Sequence, residues 1–205
     1  MKNFILSLLI IVASCNTKNG SHLDKKSASK FDTNVSAKDS DDKLILDLKE
    51  KKYDTLTRNQ YSNLADIYLA KQEFKKLKNV SEIIIEKSTE IKDTFGIVKG
   101  KTCLGGYYLN YAVNDSAFYF FNQAEKLSKK TKKKPFLISI LNNKASLYWY
   151  VKDYKESERI GIEALKLATE RNNSMHIYSC YLTIANSLNG MNDNEREPSN
   201  IIKKH

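Results

Sequence analysis

Leu64-Ala65-Asp66-Ile67-Tyr68, Leu104-Gly105-Gly106-Tyr107-Tyr108 and Lys144-Ala145-Ser146-Leu147-Tyr148 stand 40 residues apart, and that spacing decides the fold. Ala65, Gly105, Ala145 and Ala185 form a column of small residues, and Tyr68, Tyr108, Tyr148 and Leu188 form a second column three positions on. Leu77, Ala117 and Ser157 make a third, and Ile84, Ala124 and Ala164 a fourth, with no gap needed anywhere. Within a unit, Leu64, Ala65 and Tyr68 share one face of a helix by their i, i+3 and i+4 separation. Reversals are expected at Lys71-Gln72-Glu73, Asn114-Asp115 and Lys152-Asp153, with Phe74 and Tyr154 opening a second helix. Small residues on that second helix let it lie close to the first, and bulky neighbours fill the spaces between.

The expected fold is therefore all-α, an α-α superhelix of about three and a half hairpins. The units fall at 58–97, 98–137 and 138–177, with a partial one at 178–194 and a polar tail at 195–205. Composition agrees. A chain with 2 Pro and 7 Gly in 205 residues has too few breakers for many short strands. Lys43–Thr55 reads as one further helix, N-capped by Asp41 or Asp42 and placed within 43–57, that covers the first unit.

These columns resemble the tetratricopeptide repeat. The resemblance is carried by Leu64-Ala65 with Tyr68, Leu104-Gly105 with Tyr108, and Asp153-Tyr154 with Ala164-Leu165, and it covers about two-thirds of the chain. The period of 40 departs from the family's usual repeat of about 34 residues, so helices or turns must be longer. The family's early Trp is replaced by Tyr61, Lys101, Leu141 and Tyr181. The resemblance implies a binding scaffold, not an enzyme. Arrays of this kind behind an export signal are similar to the sensor portions of certain Bacteroidetes-type regulators, and Asp115–Phe121 has that character.

The chain opens with Met1-Lys2-Asn3 and an apolar run, Phe4–Ala13. Ten residues are too short for a bilayer span of about 20 but fit the core of an export signal. The run ends at Val12-Ala13-Ser14-Cys15, which resembles a bacterial lipobox. That implies removal of residues 1–14 and lipidation of Cys15, and so a cell-envelope protein held to the membrane by acyl chains. The competing reading is an ordinary export signal with a coincidental cysteine. Residues 16–42 are rich in Ser, Asn, Lys and Asp without hydrophobic periodicity, the composition of a disordered tether. Its reach as a flexible coil is roughly 30 Å.

Residues that could carry chemistry are few. His22, His176 and His205 show no ligand spacing, so no metal or other cofactor is expected. Cys103 has no nearby His, and a buried structural thiol is the plainer reading. The formal charge is +10, with its densest cluster at Lys126–Lys134. That run lacks interleaved aromatics and suits a helix C-terminus, so nucleic acid is not expected as a partner.

The resemblance places the first helices on a concave side, where three columns would line a groove. These are Asn63, Cys103, Asn143 and Thr183; Asp66, Gly106, Ser146 and Asn186; and Leu69, Leu109, Trp149 and Asn189. Asparagine donates and accepts together and can hold an extended peptide backbone; Trp149 and Tyr150 would anchor a side chain. The groove candidates are thus Asn63, Asp66, Leu109, Asn143, Ser146, Trp149, Tyr150 and Asn186, with a protein or peptide as ligand. A carboxylate clamp is disfavoured, since Thr102, Gly106, Ser179 and Thr183 stand where its basic residues belong.

The fourth unit keeps Ile177, Tyr181, Ile184, Ala185 and Leu188 but then meets Asn192–Pro198, where Pro198 opposes a second helix. Either a lone helix caps the array, or the chain is the shortened sensor part of a longer transcriptional regulator or histidine kinase.

Overall fold

Each of five helix ends carries one residue in the left-handed region, at Gln72, Lys92, Ala112, Lys152 and Asn172, with φ between 51° and 65°. At each, two hydrogen bonds close the end. The Val113 N–H donates to Tyr108 O (3.0 Å) and the Ala112 N–H to Leu109 O (3.1 Å), and the same pair recurs at Glu73 and Gln72, Asp93 and Lys92, Asp153 and Lys152, and Asn173 and Asn172. This is the Schellman closure, which satisfies the last carbonyls of a helix. Successive reversals lie 20 residues apart, except for the position between Ala112 and Lys152.

The structure, a computed structural model, describes residues 50–131 and 136–196 together with Ile45, Leu46 and Leu48. Seven helices occupy these residues: α1 Thr55–Ala70, α2 Phe74–Glu90, α3 Thr94–Asn110, α4 Asn114–Lys130, α5 Leu137–Tyr150, α6 Tyr154–Glu170 and α7 Ser174–Arg196. Each packs on the next in series, α1 on α2 through α6 on α7, and α5 also meets α7. The fold is an all-α array of helix hairpins, α1–α2, α3–α4 and α5–α6, closed by α7. Four of the helices (α2, α3, α4, α6) are 17 residues long, so the 40-residue period is two helices of that length with three-residue connections. The helices are long; the turns are short.

The columns supply most of the core, although Tyr108 and Tyr148 are only partly buried and Ala185 and Leu188 are exposed. Ala65, Ala145, Leu77, Ala117, Ser157, Ile84, Ala124 and Ala164 are all fully buried. A Cβ added at Gly105 would lie 2.5 Å from the ring of Phe121, so the glycine exists to admit that ring. In the third column α6 carries Ser157, whose hydroxyl donates to Ala145 O (2.7 Å) and meets Ser187 Oγ of α7 (2.7 Å).

Several boundaries differ from the sequence reading. Asn114-Asp115 is not a turn; it is the first turn of α4, and the reversal is Tyr111-Ala112-Val113. Ala112 has no turn signature, and its conformation is imposed by the packing of the helices it joins. The first unit begins at Thr55, not 58, with Asp54 as N-cap accepting from the Thr57 N–H at 2.9 Å. The covering helix therefore cannot extend to residue 57: its described residues Ile45, Leu46, Leu48 and Glu50 are helical, and Lys51–Asp54 are not. Ile45 and Leu48 are buried with Tyr61 and Leu64 of α1 and Leu77 of α2, so they do cover the first hairpin. α7 begins at Ser174 and runs through Arg196, past the expected partial unit at both ends. Asp41, Asp42, the leader at 1–14, Cys15 and the tether at 16–42 lie outside the described residues, as does most of the tail.

Two glycine exchanges test this packing in opposite directions. Gly105→Ala gains about 1 kcal/mol of helix propensity but overpacks against buried Phe121 at a cost of about 1–3 kcal/mol, so a net loss of stability is expected. Ala112→Gly relieves the left-handed strain and should stabilise by about 1 kcal/mol. Urea titrations followed by circular dichroism decide both signs.

Candidate binding face

The first helices α1, α3, α5 and α7 present one polar row that the apolar columns leave aside. On α5, Ser139, Asn142, Asn143 and Ser146 share a face at i, i+3, i+4 and i+7. On α7, His176, Ser179 and Thr183 do the same, and all seven residues are buried. The two helices meet here: Ser139 Oγ lies 2.8 Å from His176 Nε2.

Most of these polar groups are satisfied locally. Ser146 donates to Asn142 O, Ser179 to His176 O and Thr183 to Ser179 O. Asn142 is different. It is 0% exposed, and neither its side-chain oxygen nor its nitrogen has a partner. The adjacent Asn143, 4% exposed, also has an unpartnered Nδ2, as does His176 at Nδ1. Burying an amide without partners costs about 1–3 kcal/mol per group, and a stable core would ordinarily not keep it. On α3, Gly106 is buried, yet a Cβ built on it meets nothing within 4 Å. That face therefore has room beside a backbone that is closed elsewhere.

The expected groove residues divide. Asn143 and Ser146 lie in this buried row, and Asn142, between Leu141 and Asn143, is the residue that sequence reading passed over. The signal was present in the adjacent pair Asn142-Asn143 on the same helix as Ile138, Leu141 and Leu147. Asp66 is committed to an ion pair with buried Lys99, Oδ1 to Nζ 2.5 Å, which ties α1 to α3. Trp149 is committed too: its indole N–H donates to Asn186 O at 3.1 Å, joining α5 to α7. It is thus a strut between helices before it is an anchor for anything else. Leu109 is half-buried against Ala117, Phe121 and Leu147. Asn63 and Tyr150 are exposed, and the structure does not bring them into the buried row.

Burial holds the His176 imidazole below its ordinary value of 6.5, so the ring is neutral at pH 7. The Cys180 thiol is pushed up to about 11, chiefly by burial, and Cys103 lies buried in the first core cluster. Among the described residues no group of three or more His, Cys, Asp or Glu side chains could hold a metal ion. Of the basic run, Lys129 engages Glu125 at 2.5 Å, and Glu125 also holds Lys144 of α5 at 2.6 Å; Lys132–Lys134 lie outside the described residues.

The depressed His176 predicts a pH dependence with a defined sign. Its folded pKa is lower than its unfolded one, so below 6.5 the unfolded chain binds the extra proton first. Stability is fully present above pH 6.5 and falls as pH drops from there towards the folded value. His176→Gln should flatten that part of the stability–pH curve in denaturant titrations between pH 7.5 and 5.

No protein-family model matches the chain, and neither a curated protein nor a solved structure matches it, so the functional reading rests on the residues just described.

Proposed function

We propose that this chain is a tetratricopeptide-like scaffold, anchored in the cell envelope by a lipid on Cys15, that holds a protein or peptide ligand on the polar face of its first helices and performs no catalysis. The single observation that carries the ligand reading is the unpartnered side chain of Asn142. A carboxamide offers two N–H donors and an acceptor oxygen in one plane, and a peptide unit offers the complementary pair. Asn142 is fully buried in the free chain, so a ligand backbone reaches it, and the neighbouring Asn143 Nδ2, only where α5 parts from the helices that cover it. Recognition of this kind reads main chain more than side chains, which suits a scaffold that accepts several sequences.

The anchoring reading rests on Val12-Ala13-Ser14-Cys15 after the apolar run Phe4–Ala13. No helix among the described residues is long and apolar enough to cross a membrane.

Asn142→Leu separates binding from folding. Removing an unsatisfied buried amide should leave the array as stable or raise its stability by about 1–2 kcal/mol. On arrays of random decapeptides the same variant of the full chain should lose at least about tenfold in affinity, equivalent to about 1.4 kcal/mol, for whichever peptides the parent chain retains. N-methylating the backbone of those peptides should have a similar effect. Equal retention by parent and variant would remove the polar face from consideration.

Anchoring is checked by growing an expressing bacterium on labelled palmitate. The parent chain should carry label and Cys15→Ala should carry none; label that persists in the variant would refute the lipobox reading.

A further inference from the structure

Two hydrogen bonds join α5 to α7, Ser139 Oγ with His176 Nε2 and Trp149 Nε1 to Asn186 O, and each links residues 37 apart. The two helices are therefore parallel and in constant register, which sets Asn142 opposite Ser179 and Ser146 opposite Thr183. Ser139, Asn142, Ser146 and Trp149 have the alternating separation of a helix seam. At 100° per residue they fall within an arc of about 80°, so all four face α7. The helix that covers Asn142 is α7.

That cover is held by little apolar surface. α1 buries Tyr61, Leu64, Tyr68 and Leu69, and α5 buries Ile138, Ile140, Leu141 and Leu147. Among the described residues of α7 the buried side chains are His176, Ser179, Cys180, Thr183 and Ser187, four polar groups and one thiol. Ile177 and Ile184 are only partly buried. Apolar burial is the dominant favourable term in holding elements together, and a unit of a stacked array is held only by its own neighbours. Charge does not make up the difference. From Ser174 to Asn192 there is no Asp, Glu, Lys or Arg, so this stretch brings no carboxylate, ammonium or guanidinium to an ion pair.

We infer that α7 is the gate of the polar row: it swings off α5 and α6 about the Arg171–Asn173 connection while the rest of the array stays folded, and a ligand backbone enters to Asn142 and Asn143. The role of the gate rests on Asn142 being a ligand-binding group. Opening exposes few large apolar side chains. It also frees Asn142 Oδ1 and Nδ2, Asn143 Nδ2 and His176 Nδ1, all unpartnered in the closed form, to bond water or ligand. Groups that penalise the closed form thus favour the open one. A ligand that binds only the open form draws the population towards it.

Thiol labelling measures the gate without a ligand. In the full chain carrying Cys15→Ala two thiols remain. Cys180 lies on α7 in a cluster with Ile160 and Ala164 of α6, and Cys103 is buried with Tyr61 and Leu77 of the first hairpin. In native buffer iodoacetamide should modify Cys180 at least about 100-fold faster than Cys103, as a local opening precedes global unfolding. The Cys180 rate should also rise less steeply with urea, because local opening exposes less surface. Equal rates with equal urea slopes overturn the proposal, since α7 then opens only with the whole array. Ser157→Cys with Ser187→Cys, at positions whose hydroxyl oxygens lie 2.7 Å apart, ties α6 to α7 on oxidation. The oxidised chain should label Cys180 no faster than Cys103 and should lose the random decapeptides that the parent retains; reduction should restore both. Retention that survives the oxidised link, where Asn142→Leu abolishes it, also overturns the gate. Retention that Asn142→Leu leaves unchanged removes the ligand reading instead, and the labelling ratio still decides whether α7 opens.

Discussion

The whole array depends on one backbone constraint: a three-residue reversal at each short connection, closed by the same two hydrogen bonds, with a non-glycine residue held left-handed in its centre. Such a residue costs of the order of 1 kcal/mol, and Gln72, Lys92, Ala112, Lys152 and Asn172 all accept it. What offsets the strain is register. A connection of fixed length and hand brings each following helix back at the same height, so that Ala65, Gly105 and Ala145 each meet the second helix of their own hairpin. One extra residue in a connection would rotate the next helix by about 100° and turn its apolar column out of the core. The five closures and the gapless 40-residue columns are thus one fact seen from backbone and side chain.

The repeat was legible because apolar columns are set by burial, and burial leaves a period in the sequence that no local propensity can hide. The turns were less legible. Sequence reading looks for Gly, Asn and Asp, and Asn114-Asp115 duly attracted the reversal that in fact falls on Ala112. Strain imposed by packing on an ordinary residue has no local signature. The N-terminal boundary shows the converse: Asp54 is a plain capping residue, and the sequence reading ran the covering helix past it. At the binding face, the period identified which helices supply the row. It could not reveal that Asp66 and Trp149 are spent on Lys99 and Asn186, because both partners lie on neighbouring units and nothing in the spacing names them.

The polar row and the apolar columns obey opposite rules within the same helices. α5 buries Ile138, Leu141 and Ala145 on one side and Ser139, Asn142, Asn143 and Ser146 on another. In that row Ser146 turns back to a carbonyl of its own helix, as buried Ser and Thr commonly do, and Ser139 meets His176 of α7. A carboxamide at Asn142 has the reach to leave its helix and finds no partner among its neighbours. Retaining such a group runs against stability. The unpartnered carboxamide is therefore the largest local departure from stability in the row.

α7 then carries two commitments on opposite sides. His176, Ser179 and Thr183 face α5, while Tyr178, Tyr181, Ala185 and Leu188 lie roughly 180° around the helix at 100° per residue. The inner polar row and the outer stripe are thus separate faces of one helix. The two features also differ in the kind of rule they break. Asn142 is polar and buried without partners; the α7 stripe is apolar and exposed without cover. α7 is tied to α5 by the Ser139–His176 and Trp149–Asn186 hydrogen bonds, which fix its inner face while the outer stripe stays uncovered among the described residues.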